Sequence, residues 1–393
     1  MSSLPRLEIV RRLDPSPFWS RYAALFALGI AAVVSAVLLL ATGHDPVATY
    51  RDLARAGFLS RTALSATLVG ATPLVFTGLA AAVAFRSRVW NIGGEGQLYA
   101  GAVCATAAGL ALGGEGIGIS LPGMLAAGVV GGAVWAALPG VLRTWFNTNE
   151  ILTSLMLNYI AGLAMAYLIF DSYSYWRDLS SPVAAQFPQG KPLPDRAFWP
   201  TLTIDGVTVP AGFLIGAALA IALLIALRTT RFWFEVDVMA HSPATSRYAG
   251  MRTKRAFLAV FALSGALAGL GGTSQLGDFS HMLEPPALQV AAFGYTGIVV
   301  AALARYNPVG VVLAAVCLGA LTNAGFKIQG PDFPAGMVGT MQGILLFCVL
   351  SADFLARRKL RFVRGTPPKL AATSTAERGD AASRDLAGKG SST

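Results

Sequence analysis

The sequence predicts an all-α fold, a polytopic membrane helix bundle with about ten transmembrane helices. Hydrophobic residues make up 54% of the 393 residues and charged residues only 13%, about half the charged share of a soluble domain. The apolar residues form continuous runs of about 20, long enough to cross a bilayer, and continuous rather than alternating runs indicate helices. The expected spans are about 22–41, 62–85, 93–112, 121–142, 150–170, 210–227, 256–276, 288–304, 307–324 and 335–355.

The distribution of basic residues predicts that both termini are cytoplasmic. With ten spans and the N-terminus inside, 23 of the 30 lysines and arginines fall in inside segments and 7 in outside segments. Inside segments of membrane proteins carry such an excess. The net charge of +10 therefore reflects topology, and we expect no nucleic-acid partner.

The chain divides into a short N-terminal segment, a membrane domain and a tail. We expect residues 1–21 to be a cytoplasmic segment, 22–356 to be the transmembrane domain, and 238–252 to be a cytoplasmic loop within it. Residues 365–393 lack any apolar period and are predicted to be disordered. The Pro-rich segment 171–209 is expected on the outside, as a docking face or an interfacial lid.

A glycine-rich polar segment begins the third span. It reads NIGGEGQ from Asn91 to Gln97. One interpretation is that Glu95 caps the beginning of its own helix, where the positive helix end favours a carboxylate. The other is that the glycines open the helix toward a translocation path, with Asn91, Glu95 and Gln97 as wall residues. Both Glu95 and Glu150 are expected near the cytoplasmic end of their spans.

A second set of polar residues lies at the fifth span and consists of Asn149, Glu150, Thr153, Ser154, Asn158 and Tyr159. Glu150, Ser154 and Asn158 follow each other at intervals of four, which places them on one stripe of a helix, with Thr153 beside it. Such a stripe must face protein or water. It therefore predicts either hydrogen bonds between helices or the wall of a path for a polar solute. Phe293 and Tyr295, near Gly294, could stack on a base or simply pack.

The inside loop contains a predicted helix of about seven residues. Ser242 is a good N-cap, Pro243 suits the first helical position, and Gly250 suits a left-handed stop. A helix this short is not stable alone in water. It either packs on its own membrane domain or inserts into a cytoplasmic partner, which Arg247 and Tyr248 would contact.

Other patterns indicate packing rather than chemistry. Three Gly-x-x-x-Gly pairs, at 128/132, 265/269 and 339/343, predict close helix contacts. The three cysteines fall inside spans without metal-ligand spacing, and no catalytic constellation occurs. We therefore expect no catalytic residue, no metal site and no nucleotide-binding loop on this chain.

Four motifs resemble those of the permeases of ABC transporters in the branched-chain amino acid, simple sugar and nucleoside group. They are NIGGEGQLYAGA (91–102), NEILTSLMLNYIA (149–161), SPATSRYAGM (242–251) with KRAFLAVFALSGALAGLGG (254–272), and FGYTGIVVAALARYNPVG (293–310). The resemblance covers about residues 60–355 and is greatest to nucleoside-type members. The family usually has Asn-Pro before the short helix, whereas this chain has Ser242-Pro243. Because serine caps helices as asparagine does, we expect coupling to be retained.

The resemblance implies the permease subunit of a bacterial inner-membrane importer for nucleosides. It implies a separate cytoplasmic ATPase that holds ATP and Mg, a second and paralogous permease, and an extracytoplasmic binding protein. It also implies ATPase contacts at Ser242, Pro243, Ala244, Arg247, Tyr248, Ala249 and Gly250, and a cargo path near Asn91, Glu95, Gln97, Thr153, Ser154, Asn158, Phe293 and Tyr295. The alternatives are import of a simple sugar by the same machine, or an ion-coupled secondary transporter. An ion-coupled transporter would need carboxylates near the bilayer midplane.

Overall fold

The fold is a bundle of long apolar helices with two small β-ribbons. The computed structural model describes residues 6–11, 17–170, 176–180, 186, 189–330, 333, 336–356 and 358–363. The predicted disorder of 365–393 lies outside the described residues. The helices are α1 (Pro17–Ala41), α2 (Pro46–Phe58), α3 (Arg61–Arg86), α4 (Gly94–Leu112), α5 (Ile117–Phe146), α6 (Glu150–Phe170), α7 (Ala211–Thr229), α8 (Arg231–His241), α9 (Pro243–Tyr248), α10 (Thr253–Gln275), α11 (Pro285–Ala291), α12 (Phe293–Leu303), α13 (Pro308–Ile328) and α14 (Gly336–Ala356).

Both ribbons are antiparallel and two-stranded. One joins β1 (Arg6–Arg11) to β4 (Arg358–Val363), and the other joins β2 (Thr201–Ile204) to β3 (Val207–Pro210). The ribbon of β1 and β4 belongs to a unit that is separate from the bundle of residues 24–352. The sequence pattern did not predict either ribbon, because each strand is only four to six residues long.

Within the described residues, eight helical segments are long and apolar enough to cross a membrane. They correspond to the second through ninth expected spans and confirm the membrane helix bundle. The first expected span is a bent pair, in which α1 is followed by α2 at an angle of 116°. The last expected span corresponds to α14, in which Gly336–Ala352 form an apolar helix. The count of ten and the cytoplasmic termini stay predictions.

Successive loops lie at opposite ends of the bundle, and loops at the same end contact each other. At one end, Phe85 contacts the rings of Trp90 and Tyr306. At the other end, Arg196 donates to the carbonyl of Gly114, and Arg61 pairs with Asp205 at 3.0 Å. The segments 86–93 and 305–306 thus share one end, while 113–115 and 195–210 belong to loops on the other side of the intervening helices.

Glycines bring α5 and α10 into backbone contact at the centre of the bundle. A Cβ atom added to Gly269 would lie against the carbonyl oxygen of Gly128 and 3.0 Å from the Cα of Gly132, and one added to Gly265 would meet the carbonyl of Gly132. These contacts confirm two of the three predicted glycine pairs. The third is wrong for contacts inside the described chain, because a Cβ at Gly339 or Gly343 would meet no atom within 4 Å.

We expect Gly269→Ala to destabilise the bundle, because backbone atoms of α5 cannot move aside as a flexible side chain would. Overpacking of this kind costs about 1–3 kcal/mol. The apparent melting temperature of the purified protein in detergent measures the effect. Gly343→Ala is the matched control and should leave the melting temperature unchanged. Equal shifts in the two variants would contradict the proposed crossing.

Candidate functional site

The loop that precedes α4 is held inside the bundle by two side-chain amides. The Asn91 amide donates to Oε1 of Gln97 at 3.0 Å, and the Gln97 amide donates back to Oδ1 of Asn91 at 2.9 Å. Asn91 also donates to Oγ of Ser264 at 3.0 Å, and Ser264 donates to the carbonyl of Ala80 at 2.9 Å. Asn91 and Gln97 are buried and satisfied by protein groups. This arrangement favours a structural role for both over the predicted role as wall residues.

Glu95 caps a helix, but not the helix it belongs to. Its Oε2 accepts the backbone N–H of Gly294 at 2.6 Å and that of Tyr295 at 3.2 Å, and its side chain is buried. These two N–H groups belong to the first turn of α12, where no intrahelical acceptor exists. The interpretation that Glu95 caps α4 is therefore wrong for hydrogen bonding: α4 has no side-chain cap, and the carboxyl group of Glu95 instead accepts from the first turn of α12, with Gly294 199 residues away along the chain.

The cap is needed because the span 285–303 is broken. Ala292 lies between α11 and α12 with φ at +48°, an uncommon conformation for a residue other than glycine. Gly294 permits the close approach of α4, because a Cβ there would lie 2.6 Å from the Cα of Glu95. Thr77 of α3 donates to the carbonyl of Phe293 at 3.0 Å. The break therefore has fixed partners on two neighbouring helices.

Asn158 of α6 fastens a third helix to the same place. Its Oδ1 accepts the N–H of Gly96 at 2.9 Å, while its amide donates to the carbonyl of Ile92 at 3.0 Å and to the hydroxyl of Tyr295 at 3.1 Å. Asn158 is thus at once an acceptor for α4, a donor to the preceding loop and a donor to α12. We use the name polar joint for one set of side chains, namely those of Asn91, Glu95, Gln97, Asn158 and Ser264.

The rest of the predicted polar stripe does not join this network. Thr153 donates to the carbonyl of Asn149 at 3.1 Å, and the buried Ser154 donates to that of Ile151 at 3.1 Å, both within their own helix end. Glu150 pairs with Arg143 at 3.2 Å. Of the predicted path residues, only Tyr295 is exposed, at 38%, while Phe293 is half-buried and packs against two apolar clusters.

The polar joint lies well inside the bundle, although Glu95 was expected near the end of its span. Asn158 follows the first residue of α6 by eight positions, or ~12 Å, and Ser264 follows the first residue of α10 by eleven, or ~16 Å. Val89, in the preceding loop, is also buried. The loop therefore enters the bundle and α4 begins in its interior. The location of Glu95 alone thus gives no argument against ion coupling.

A second carboxylate caps a helix in the same way, and the sequence pattern missed it. Asp278 lies in a π-helical turn, Leu276–Ser280, that extends α10, and its Oδ2 accepts the N–H of Gly212 at 3.1 Å in the first turn of α7. The available signal was an aspartate two residues after the expected end of the seventh span at residue 276. Within the described residues, no three His, Cys, Asp or Glu side chains cluster as a metal site would require.

Next to this turn, the segment from Leu193 to Trp199 runs along the end of α10. Leu193 donates to the carbonyl of His281 at 2.8 Å, and Trp199 donates to that of Gly277 at 3.0 Å. The His281 ring stacks on Phe198 at 3.7 Å. Burial lowers the pKa of His281 below its ordinary value, which favours the neutral ring in this stacked position.

The predicted short helix forms as α9. Ser242 is its N-cap, with Oγ accepting the N–H of Thr245 at 3.4 Å, Pro243 opens it, and Gly250 follows with φ at +70°. These local features are confirmed. Ser246 is buried, whereas Pro243, Ala244, Arg247, Ala249 and Gly250 are exposed, and Tyr248 is 96% exposed. The helix therefore presents most of its surface outward, and a groove of about 310 Å³ lies between α8 and residues 249–252.

We expect Glu95→Gln to loosen the first turn of α12, because the amide lacks the charge that the helix end favours. Hydrogen bonds to charged groups contribute about 1.5–3 kcal/mol, so the amides of Gly294 and Tyr295 should exchange with deuterium at least about tenfold faster. Mass spectrometry of the peptide that contains residues 293–296 measures this. Glu150→Gln, which removes a peripheral ion pair, is the control. Unchanged exchange in Glu95→Gln would contradict the capping role.

Comparison with known proteins agrees with this architecture. The family model described as the branched-chain amino acid transport system / permease component matches residues 63–350. A glucose ABC transporter permease of Haloferax volcanii is 30% identical over 90% of this chain and 94% of its own length. The nucleoside ABC transporter permease NupB of Lactococcus lactis is 26% identical over 83% and 89%, and the guanosine ABC transporter permease NupP of Bacillus subtilis is 29% identical over 86% and 93%. The chain is therefore a multi-pass membrane protein that belongs to the family of permease components of the branched-chain amino acid transport system.

Proposed function

We propose that this chain is one permease subunit of an ATP-driven importer in the inner membrane of a bacterium, with a nucleoside as cargo. A cytoplasmic ATPase, which holds ATP and Mg, docks on α9. A second, paralogous permease completes the path, and an extracytoplasmic binding protein delivers the cargo. Transport follows alternating access, in which closure of the ATPase changes the side to which the bundle is open.

The exposed surface of α9 carries the proposal. Six residues form too short a helix to be stable by themselves, yet α9 is capped at its start and fastened through the buried Ser246. The N–H of Met251 also donates to the Ser246 carbonyl at 3.0 Å. A fully exposed tyrosine beside an exposed arginine is a typical pair of contact residues in protein interfaces. The exposure of residues 242–250 thus supports docking of a partner better than packing of this segment on the membrane helices of the same chain.

The relatives favour a nucleoside over other cargo. Two of the three relatives named above transport nucleosides by name, and one transports glucose. Import of a sugar is therefore the second candidate function, and it rests on the glucose permease.

We expect Tyr248→Glu to reduce ATP-dependent uptake at least about tenfold, because a buried, unpaired carboxylate in an interface costs several kcal/mol. The measurement is uptake into proteoliposomes that contain the complete importer and internal ATP. Tyr248→Phe keeps the aromatic ring and should retain most activity. We expect Arg247→Glu to reduce uptake in the same way, with Arg247→Lys, which keeps the positive charge, as its control. Normal uptake in both Glu variants would show that α9 does not transmit the motion.

Cargo and energy source are tested in the same vesicles. We expect ATP-dependent uptake of labelled guanosine, adenosine or uridine that an excess of ribose or glucose does not compete away. Competition by glucose alone would favour the sugar importer. Uptake that follows a proton or sodium gradient and ignores ATP would overturn the proposed mechanism.

A further inference from the structure

Three polar side chains are exposed around one turn of α6, in the middle of the membrane spans. Tyr159 is the tenth of the 21 residues of α6 and is 64% exposed. Gln289 of α11 is exposed, and Tyr295 of α12 is 38% exposed. Tyr159 belongs to the polar set that the sequence indicates at the fifth span, whereas Gln289 was not among the predicted path residues.

The contacts of these side chains place them together. The hydroxyl of Tyr295 accepts from Asn158 at 3.1 Å, and Asn158 directly precedes Tyr159 in the chain. Gln289 donates to the carbonyl of Gly162 at 3.3 Å, one turn beyond Tyr159. The absence of a side chain at Gly162 leaves room for the amide, because a Cβ there would lie 3.3 Å from Nε2 of Gln289.

Hydrocarbon is a poor environment for this surface. The Gln289 side chain has two N–H groups and a carbonyl oxygen, and among the described residues the amide has one hydrogen bond, the donation to Gly162. Polar side chains on membrane helices face protein or water rather than lipid. The broken span at Ala292 adds to this, since irregular backbone at membrane depth is tolerated where it lies against protein or lines a cavity.

We propose that Tyr159, Gln289 and Tyr295 form a cargo-contact surface for a heteroaromatic base. The two phenol rings offer stacking faces, and the Gln289 amide offers both a donor and an acceptor to the edge of the base. This inference rests on the proposed function and specifies where that function contacts its cargo. The buried Asn91, Glu95 and Gln97 then hold the frame of the surface and do not touch the cargo.

The test uses the complete importer in proteoliposomes with internal ATP and saturating binding protein. Tyr159→Leu and Gln289→Leu keep apolar bulk, and we expect each to lower the rate of guanosine uptake at least about fivefold, because Tyr159→Leu removes a stacking face and Gln289→Leu removes hydrogen bonds to the base. Tyr167→Leu is the matched control, because Tyr167 lies two turns further along α6, is 67% exposed and should be dispensable. Uptake by Tyr159→Leu equal to that of Tyr167→Leu would overturn the proposal.

A second measurement separates contact with cargo from a structural effect. Photolysis of the wild-type importer with radiolabelled 8-azidoguanosine should label peptides that contain residues 159 and 289–295, and excess guanosine should prevent the labelling. Labelling confined to other helices overturns the proposal. The proposal is also overturned if size-exclusion chromatography shows that the two permease chains dissociate in the Tyr159→Leu variant, because that result would identify this face as the subunit interface.

Failure of the proposed function is distinguishable. If the wild-type importer takes up no nucleoside with ATP, both the nucleoside assignment and the base-contact surface are overturned. If the wild type takes up guanosine and the Leu variants do so equally well, only the surface is overturned.

Discussion

A backbone N–H group inside a membrane bundle must find an acceptor within the protein, and this requirement organises the centre of the molecule. α12 begins at a break in a span, and its first free N–H groups donate to Glu95. The N–H of Gly212 at the start of α7 also requires an acceptor, and the carboxylate of Asp278 provides it. Because no water competes in hydrocarbon, each unsatisfied group would cost several kcal/mol. Two carboxylates, each carried by a different helix from the one it caps, therefore fix two separate junctions, that of α4 with α12 and that of the turn after α10 with α7.

The polar joint also explains why α4 begins inside the bundle. Its glycines let the backbone approach α12 and α6, and Asn158 then binds the N–H of Gly96 and the carbonyl of Ile92. Tyr295 contributes to both sides of this arrangement, with its N–H on Glu95 and its hydroxyl on Asn158, while part of its ring remains exposed. The proposed cargo-contact surface is thus attached directly to the polar joint through Tyr295.

Local signals in the sequence predicted what depends on local structure. Continuous apolar runs located the spans, and Ser242-Pro243 with Gly250 located α9 and its ends, because capping and left-handed backbone are decided within a few residues. The sequence pattern could not indicate contacts between residues that are far apart along the chain. Glu95 and Gly294 meet only in the fold, so the pattern NIGGEGQ was compatible with capping α4 or lining a path. The pair Gly339 and Gly343 has the same spacing as Gly265 and Gly269. Of these two pairs, only Gly265 and Gly269 pack against glycines of a neighbouring helix, α5.

Rigid contacts connect the exposed short helix to the polar joint. Only Ala249–Arg252 separate α9 from α10, and α10 carries Ser264, which binds Asn91. Asn91 pairs with Gln97 two residues beyond Glu95, and Glu95 holds the first turn of α12. The glycine crossing of α5 and α10 excludes independent sliding of these helices, since their backbones are in contact. A displacement of α9 that moves α10 must therefore either carry the polar joint with it or break hydrogen bonds that no solvent can replace.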